Sequence, residues 1–259
     1  MADYLEVEAA RSMPGLRLVL TAGVPGPWGE AAKGLFRVKR IPFVQVRQVG
    51  GGENQALAEW TGQTSAPVAA WNDERPRTTS TDILFLAEGL AREPALLPSR
   101  ADERALVLGL SHEIYGEQGL GWSRRLMMFH ATLGRTQASA TGRAGVERMA
   151  GKYGYSETAA EAAPSRVAAI LEMLAAQLSR ERSRGSRFLV GDRLTALDVY
   201  WAAFAAMLEP LPPEVCPMPE GIRAMYTAGD PAIRRALDPR LLEHRDFIYQ
   251  EFLGLPMDF

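Results

Sequence analysis

The residues with the clearest chemical potential lie between Thr64 and Leu90, where a proline precedes a short apolar run and hydroxyl residues precede a helix pattern. Pro67 stands directly before the predicted strand Val68–Trp71, and X–Pro is the only peptide bond with a substantial cis population. A cis bond there would turn the preceding carbonyl and N–H outwards, so that a ligand backbone can pair with them. Ser80 opens the helix pattern, and a helix N-terminus favours a carboxylate. The stretch therefore predicts a site that pairs with a ligand backbone and receives an anion.

Each of these two features also has a purely structural interpretation. Pro67 alone is compatible with an edge strand, where the missing N–H is not needed. Ser80 alone is compatible with a simple helix N-cap. The combination of the two is what favours a binding site.

The bulk composition excludes several function classes. The chain has 259 residues, 47% hydrophobic and 23% charged, and a formal net charge of -2, so no global field attracts nucleic acid or an anionic membrane. A single cysteine, Cys216, excludes an intrachain disulfide framework. His112 and His130 lack a metal-ligand pattern, and we expect no metal. The N-terminus lacks the order of a signal peptide and no apolar run approaches the ~20 residues of a membrane span, which predicts a soluble, cytoplasmic protein.

The elements that must position these residues change in type along the chain. Short strand patterns at residues 16–23, 41–49 and 68–71 alternate with helix patterns that begin at Pro27, at about Gln55 and at Ser80. Beyond Pro98 only helix patterns remain, and the first is one long helix through residues 101–133, which Gly116, Gly119 and Gly121 would loosen or bend. We therefore predict an N-terminal extension (1–15), an α/β domain (16–92) and an all-α domain (101–259), with a linker around residues 92–100.

Three motifs resemble the glutathione transferase superfamily. They are "SAPVAAW", "TTSTDILFLAEGL" and "RFLVGDRLTALDVYWAA". The resemblance covers nearly the whole chain, and it implies a thioredoxin-like domain followed by an all-α helical-bundle domain. It also implies that the protein binds glutathione, takes a small hydrophobic electrophile and forms a homodimer. The third motif has a structural role only, because Thr195 and Asp198 have capping-box spacing.

The resemblance assigns a part of glutathione to each of the first two motifs. Pro67 takes the place of the family's cis-proline, and the Ala66 backbone would pair with the cysteinyl unit. Ser80 would receive the γ-glutamyl carboxylate. Thr79 stands where the family usually has an acidic residue, which weakens but does not remove the expected contact.

The thiol-activating position departs from the family pattern. Relatives use Tyr, Ser or Cys just before a Pro-aromatic pair, but here Gly26 precedes Pro27-Trp28. Thr21 is the nearest hydroxyl and is the candidate catalytic group; a Thr with no chemical role is the alternative. Backbone N–H groups of Trp28 and Gly29, with the helix dipole, are a second way to hold a thiolate. Trp28 itself is predicted to be a wall of the pocket.

Two further contacts complete the predicted cleft. Gln63, in preference to Gln48, would contact the glycine carboxylate of glutathione. The electrophile pocket is predicted to contain Tyr115, Trp122, Arg124 and Met128, although Met128 is also a candidate for the ordinary core.

The predicted activity is the transfer of glutathione thiolate to a hydrophobic electrophile, or a related reduction or ether cleavage. The rival is a non-catalytic binding or interaction protein with the same fold, and Gly26 favours it. A disulfide reductase is a weaker reading, because the chain has no Cys-x-x-Cys motif.

Overall fold

A three-stranded sheet forms the base of the N-terminal unit in the computed structural model, which describes residues 3–134 and 140–259. Its strands are β1 (Leu16–Thr21), β2 (Phe43–Gln48) and β3 (Val68–Trp71), in the order β2-β1-β3. β1 is parallel to β2 and antiparallel to β3. The register places Thr21 beside Gln48 at the ends of β1 and β2, so these two polar side chains meet at one edge of the sheet.

Four helices accompany the sheet: α1 (Val7–Ala10), α2 (Pro27–Val38), α3 (Gln55–Thr61) and α4 (Ser80–Leu90). α2 is the crossover between the parallel strands β1 and β2, as parallel pairing requires. It buries Ala31, Ala32, Leu35 and Phe36, one apolar face that packs on the sheet and on α4.

The predicted N-terminal extension is attached to the sheet. The Leu5 N–H donates to the Gln45 carbonyl at 2.9 Å, and the Arg47 N–H donates to the Leu5 carbonyl at 2.8 Å. These bonds pair the extension with the outer edge of β2, which would otherwise be open.

The second unit is helical: no strand occurs in the described part of the chain after β3. Its helices are α5 (Ala101–Tyr115), α6 (Leu120–Leu133), α7 (Ala140–Lys152), α8 (Glu157–Ser183), α9 (Ala196–Phe204), α10 (Glu220–Tyr226), α11 (Pro231–Ala236) and α12 (Pro239–Ile248). Every residue of α9 is buried, so this helix is the centre of the second unit. A small α/β unit followed by a helical unit confirms the predicted fold class. None of the helices in residues 3–134 and 140–259 combines the length and apolarity that a membrane span needs.

The predicted long helix over residues 101–133 is two helices in the structure, divided at the glycines where a loosened or bent helix was expected. The chain breaks between α5 and α6, where Gly116 ends one helix and Gly119 precedes the next. Gln118 has φ of 60°, and a Cβ added at Gly119 would lie 2.7 Å from the Glu113 carbonyl oxygen. The turn therefore depends on glycine, and helix periodicity alone does not reveal it.

The two units meet where α2 packs on α9. The Trp28 ring lies edge-on to Phe204, with ring centroids 4.8 Å apart. A Cβ added at Gly121 would lie 2.4 Å from Phe204 and 3.0 Å from Trp28, so α6 also approaches closely here. This packing fixes the N-terminus of α2 against the helical unit.

The capping box predicted at Thr195 and Asp198 is confirmed. Asp198 is fully buried, and its Oδ2 accepts the Thr195 N–H at 2.8 Å. Its Oδ1 accepts the Leu189 N–H at 2.9 Å and lies 2.9 Å from Nε2 of His244. The start of α9 is thus closed by side chains inside the core.

Candidate functional site

A cavity of about 380 Å³ lies between the sheet end of the first unit and helices α6, α7 and α10 of the second. The sheet side contributes Thr21, Gln48, Ala66 and the glycines at residues 50–52. The helical side is more apolar, and its lining includes Met128, Phe129, Val146, Met149, Tyr153, Ile222, Met225 and Tyr226. One wall is therefore made of backbone and small polar groups and the other of large apolar side chains.

The charged side chains that line this cavity, among the residues described, are all cations: Arg125, Arg148 and Lys152. Lys152 donates from Nζ to Ser65 Oγ at 2.9 Å, and Arg148 Nη1 lies 3.5 Å from the Gly51 carbonyl oxygen. These two contacts join α7 to the loops that follow β2 and α3. The cavity is electropositive, and it suits an anionic ligand.

A smaller recess of about 30 Å³ opens beside the cavity at the N-terminus of α2, with Thr21, Gly26, Trp28, Gly29 and Arg125 in its lining. Gly26 is the N-cap residue of α2 and offers no side chain, so no side-chain bond caps the helix. The first N–H groups of a helix have no intrahelical partner. In the recess, backbone N–H groups and the positive dipole end of α2 are therefore available to an anionic ligand.

The hydroxyl of Thr21 is already engaged. Its Oγ1 donates to Gln48 Oε1 at 2.7 Å. The Gln48 amide nitrogen donates to the carbonyls of Val49 and Thr64 at 2.9 and 3.1 Å, which fixes the orientation of the amide. Because Oε1 can only accept, Thr21 must be the donor. Its proton is therefore committed to Gln48, which argues against the prediction that Thr21 donates to a thiolate.

Arg125 lines the cavity without a hydrogen-bond partner among the described residues. Its guanidinium lies 5.3 Å from the Trp28 ring centroid and 5.8 Å from the Tyr153 ring centroid. Its Nε is buried and has no hydrogen-bond partner within the described chain. The side chain lines both the cavity and the recess, so its charge acts on both.

The predicted glutathione-binding residues are divided between the cavity and its surroundings. Ala66 lines the cavity, and the Ala66–Pro67 bond is cis, as the sequence predicted. Trp28 lines the recess, and its Nε1 donates to the Tyr115 carbonyl at 3.0 Å. Pro67, Gln63, Thr79 and Ser80 lie outside the lining of the cavity.

Ser80 is the first residue of α4, as predicted, but the cap is Thr79. Thr79 Oγ1 accepts the Asp82 N–H at 3.1 Å, and the Tyr200 hydroxyl donates to the Ser80 carbonyl at 3.0 Å. The Ser80 hydroxyl makes no hydrogen bond to any described residue, so it is free to contact a ligand.

Of the four residues predicted for the electrophile pocket, only Met128 lines the cavity. Arg124 points into the helical core, where Nε donates to the Met207 carbonyl at 2.8 Å and Nη2 to the Tyr226 carbonyl at 3.1 Å. Burial lowers the pKa of Arg124 to about 10. These contacts give Arg124 a structural role, and the prediction that it faces the electrophile does not fit the structure.

Tyr115 and Trp122 lie behind the wall of the cavity. The Tyr115 hydroxyl is 2.8 Å from Thr81 Oγ1, and its ring packs on Tyr200. Burial raises the pKa of this hydroxyl. The Trp122 ring packs on Tyr153, with ring centroids 4.7 Å apart, so it supports a residue that lines the cavity.

Four residues that line the cavity were not predicted from the sequence: Arg125, Arg148, Lys152 and Tyr153. Arg124 and Arg125 are adjacent in "SRRL", and only the packing of α6 decides which one faces the cavity. Lys152 is the last residue of α7 and Tyr153 follows it, in a stretch with no sequence motif.

In residues 3–134 and 140–259, no group of three or more His, Cys, Asp or Glu is placed to hold a metal ion.

Comparison with known proteins shows which family this chain is similar to. Residues 157–246 match the family model of the glutathione S-transferase C-terminal domain. No curated protein sequence matches the chain. A glutathione S-transferase domain-containing protein from Marinobacter aquaeolei VT8 has 16% identity and a TM-score of 0.62, over 92% of this chain and 100% of that one.

Two other structures with similar folds contain a ligand. A glutathione S-transferase from Methylobacterium radiotolerans, in complex with glutathione sulfonate, has 17% identity and a TM-score of 0.60, over 90% of this chain and 89% of that one. One from Methylobacillus flagellatus, with glutathione bound, has 12% identity and a TM-score of 0.61, over 90% and 94%. The chain has the fold of these glutathione S-transferase structures, and residues 157–246 are similar to the C-terminal domain of that family.

Proposed function

We propose that this glutathione transferase-like protein binds glutathione and transfers its thiolate to a hydrophobic electrophile. The observation that carries the proposal is the uncapped N-terminus of α2, which opens into a recess beside the cis Ala66–Pro67 bond. The two similar structures that hold glutathione or glutathione sulfonate support the choice of ligand.

In the proposed complex, the cysteinyl backbone of glutathione pairs with Ala66 and the sulfur enters the recess. The γ-glutamyl carboxylate meets Ser80 and the N-terminus of α4, where a free hydroxyl and a positive dipole end favour an anion. The glycine carboxylate meets Lys152 and Ser65, in place of the predicted Gln63, because these two residues line the cavity and Gln63 does not.

Activation of the thiol is assigned to backbone groups. A free thiol with a pKa near 8.5 is mostly protonated at neutral pH, and the thiolate is the nucleophile. The N–H groups of Trp28 and Gly29, together with the dipole of α2, stabilise the anion and lower the pKa of the bound thiol. Because the Thr21 hydroxyl donates its proton to Gln48, stabilisation of the thiolate is assigned to the backbone N–H groups.

The second candidate function is a binding or interaction protein with no catalysis. Gly26 is the specific observation in its favour, since no side chain there donates to the sulfur. The pKa of bound glutathione separates the two functions: a depressed thiol pKa supports the transferase, and an unshifted one supports the binding protein.

The cellular setting is also a proposal. We propose a cytoplasmic homodimer, in agreement with a single buried free cysteine and with the exposed Phe85 on α4 and Leu106 on α5. Sedimentation equilibrium measures the oligomeric state directly, and a monomer at all concentrations would contradict the dimer.

The first test is glutathione binding by isothermal titration calorimetry. Ser80→Ala removes a hydrogen bond to a charged group, and we expect a loss of roughly 1.5–3 kcal/mol in binding free energy. Ser183→Ala is the matched control, because Ser183 lies at the far end of α8 and bonds only to Arg180 among the described residues. Equal affinity of Ser80→Ala and the unaltered protein would place the γ-glutamyl carboxylate elsewhere.

A further inference from the structure

Of the three cations that line the cavity, Lys152 is assigned to glutathione, Arg148 contacts the Gly51 carbonyl, and Arg125 has no hydrogen-bond partner among the described residues. In the proposed complex the two carboxylates of glutathione meet Ser80 and Lys152, whereas Arg125, on α6, contacts neither carboxylate. We propose that the second substrate is an amphipathic organic anion, an aromatic or other apolar electrophile that carries a carboxylate or sulfonate, and that Arg125 binds the anionic group. This inference rests on the proposed function and names the substrate class of the same cavity.

The contrast with the neighbouring arginine supports this assignment. The Arg124 guanidinium donates hydrogen bonds to the carbonyls of Met207 and Tyr226. Arg125 makes no hydrogen bond or ion pair to the described residues, and its Nε is buried. A buried donor without a partner costs free energy. An anion in the cavity would form the missing charge-assisted bonds, which are about twice as strong as neutral ones.

No carboxylate of the described residues pairs with Arg125 in the cavity. Among the described residues, Asp and Glu are absent from the lining of the cavity. The adjoining recess has Glu30 in its lining, but Glu30 is paired with Lys33 at 2.8 Å. The positive charge of Arg125 is therefore available to a ligand.

The rest of the cavity suits the apolar part of such a ligand. Met128, Phe129, Met149, Ile222 and Met225 all belong to the apolar, helical wall of the cavity. Methionine side chains adapt to ligands of irregular shape and contact aromatic rings favourably. A flat aromatic anion would place its ring on this wall and its charged group at Arg125.

The reaction of a suitable probe balances without a further reactant. With 4-chloro-3,5-dinitrobenzoate, the glutathione sulfur forms a bond to the ring carbon that carries chlorine. The carbon–chlorine bond breaks and chloride leaves with its electron pair. The thiol proton goes to solvent, and nothing is oxidised or reduced.

The experiment compares this benzoate with 4-chloro-3,5-dinitrobenzamide, which has the same ring and leaving group but no charge. The ratio of their kcat/KM values, each divided by the uncatalysed rate with glutathione, measures the preference for the anion. We expect a preference of roughly 10- to 100-fold for the benzoate. Arg125→Met should bring the ratio close to one, and Arg125→Lys should retain part of it. Arg143→Met is the control, because Arg143 lies on the exposed face of α7 and pairs with Glu147.

Two outcomes overturn the inference. One is an equal rate for benzoate and benzamide in the unaltered protein. The other is an Arg125→Met variant that slows both substrates by the same factor and raises the pKa of bound glutathione, since Arg125 would then act on the thiolate.

A binding measurement separates this inference from the proposed function. The unreactive pair 3,5-dinitrobenzoate and 3,5-dinitrobenzamide needs no glutathione, and calorimetry reports their affinities. If no substrate turns over but the benzoate still binds more tightly in an Arg125-dependent way, the anion site stands and the transferase proposal fails. If the benzoate and the benzamide bind equally, the anion site fails whatever the enzyme does.

Discussion

The N-termini of α9 and α2 both have N–H groups without an intrahelical partner, but side chains cap α9 and leave α2 uncapped. At α9, Thr195 and Asp198 close the helix, and Asp198 also accepts the Leu189 N–H and contacts His244. At α2, the N-cap is Gly26, and no side chain closes the helix. The first end lies inside the core, whereas the second faces a recess. A buried helix end must be satisfied by protein, but one that faces a cavity is available to a ligand.

The closed end of α9 contributes to the stability of the protein, and the open end of α2 contributes to its proposed function. The closed end joins α9 to α12 and to the loop before it, so it stabilises the helical unit. The open end is fixed in space by the packing of α2 on α9, with Trp28 against Phe204. The rigid capping of one helix therefore helps to hold the uncapped end of the other in position.

The largest expected effect is at the closed end. Asp198→Asn keeps the shape but places an amide NH₂ among groups that need an acceptor, and we expect a loss of roughly 3 kcal/mol in the free energy of unfolding. Thr195→Ala removes only the cap hydroxyl and should cost about 1 kcal/mol. Urea unfolding followed by circular dichroism measures both. An Asp198→Asn protein of unchanged stability would remove the contrast between the two helix ends.

An intermediate effect is expected at the open end. Gly26 has φ of -64° and ψ of 124°, and no atom lies within 4 Å of an added Cβ, so serine fits. Its hydroxyl would donate to the thiolate, and we expect Gly26→Ser to lower the pKa of bound glutathione by about one unit and to speed transfer. Thiolate absorbance against pH measures this pKa, and Gly26→Ala is the control without a hydroxyl. A raised pKa in Gly26→Ser would mean that serine caps the helix and competes with the ligand.

The smallest expected effect is at Thr21. Because its proton is committed to Gln48, Thr21→Val should change the pKa of bound glutathione by less than about 0.3 unit, a factor of two in the thiol equilibrium. Thr21→Ser, which keeps the hydroxyl, is the reference for any packing change. An increase of one unit or more in Thr21→Val alone would restore Thr21 as the thiolate donor and end the assignment to the backbone.

The sequence predicted the parts of the site that depend on local backbone geometry. Pro67 before a strand pattern indicated the cis bond, and Ser80 was expected at a helix start; both agree with the structure. The capping box of α9 followed from its spacing. These features involve residues close together in the chain, where local rules apply.

The helix break and the residues that line the cavity were predicted less well from the sequence. Gly116 and Gly119 divide the predicted long helix because glycine permits a close approach to backbone that propensity does not register. The four residues predicted for the electrophile pocket contributed only Met128 to the cavity. Polar and apolar residues both occur on several faces of α6, so its sequence did not specify which face lies inside.

By itself, the sequence determined an α/β unit followed by a helical unit, the cis-proline strand and the absence of a side chain at Gly26. Tertiary structure alone decided that Arg124 is buried while Arg125 faces the cavity, that Lys152 reaches Ser65, and that Gln48 takes the Thr21 proton. The physical reason is that each of these outcomes joins segments far apart in the chain. Their direction is set by how whole helices pack, and a pattern of neighbouring residues contains no record of that packing.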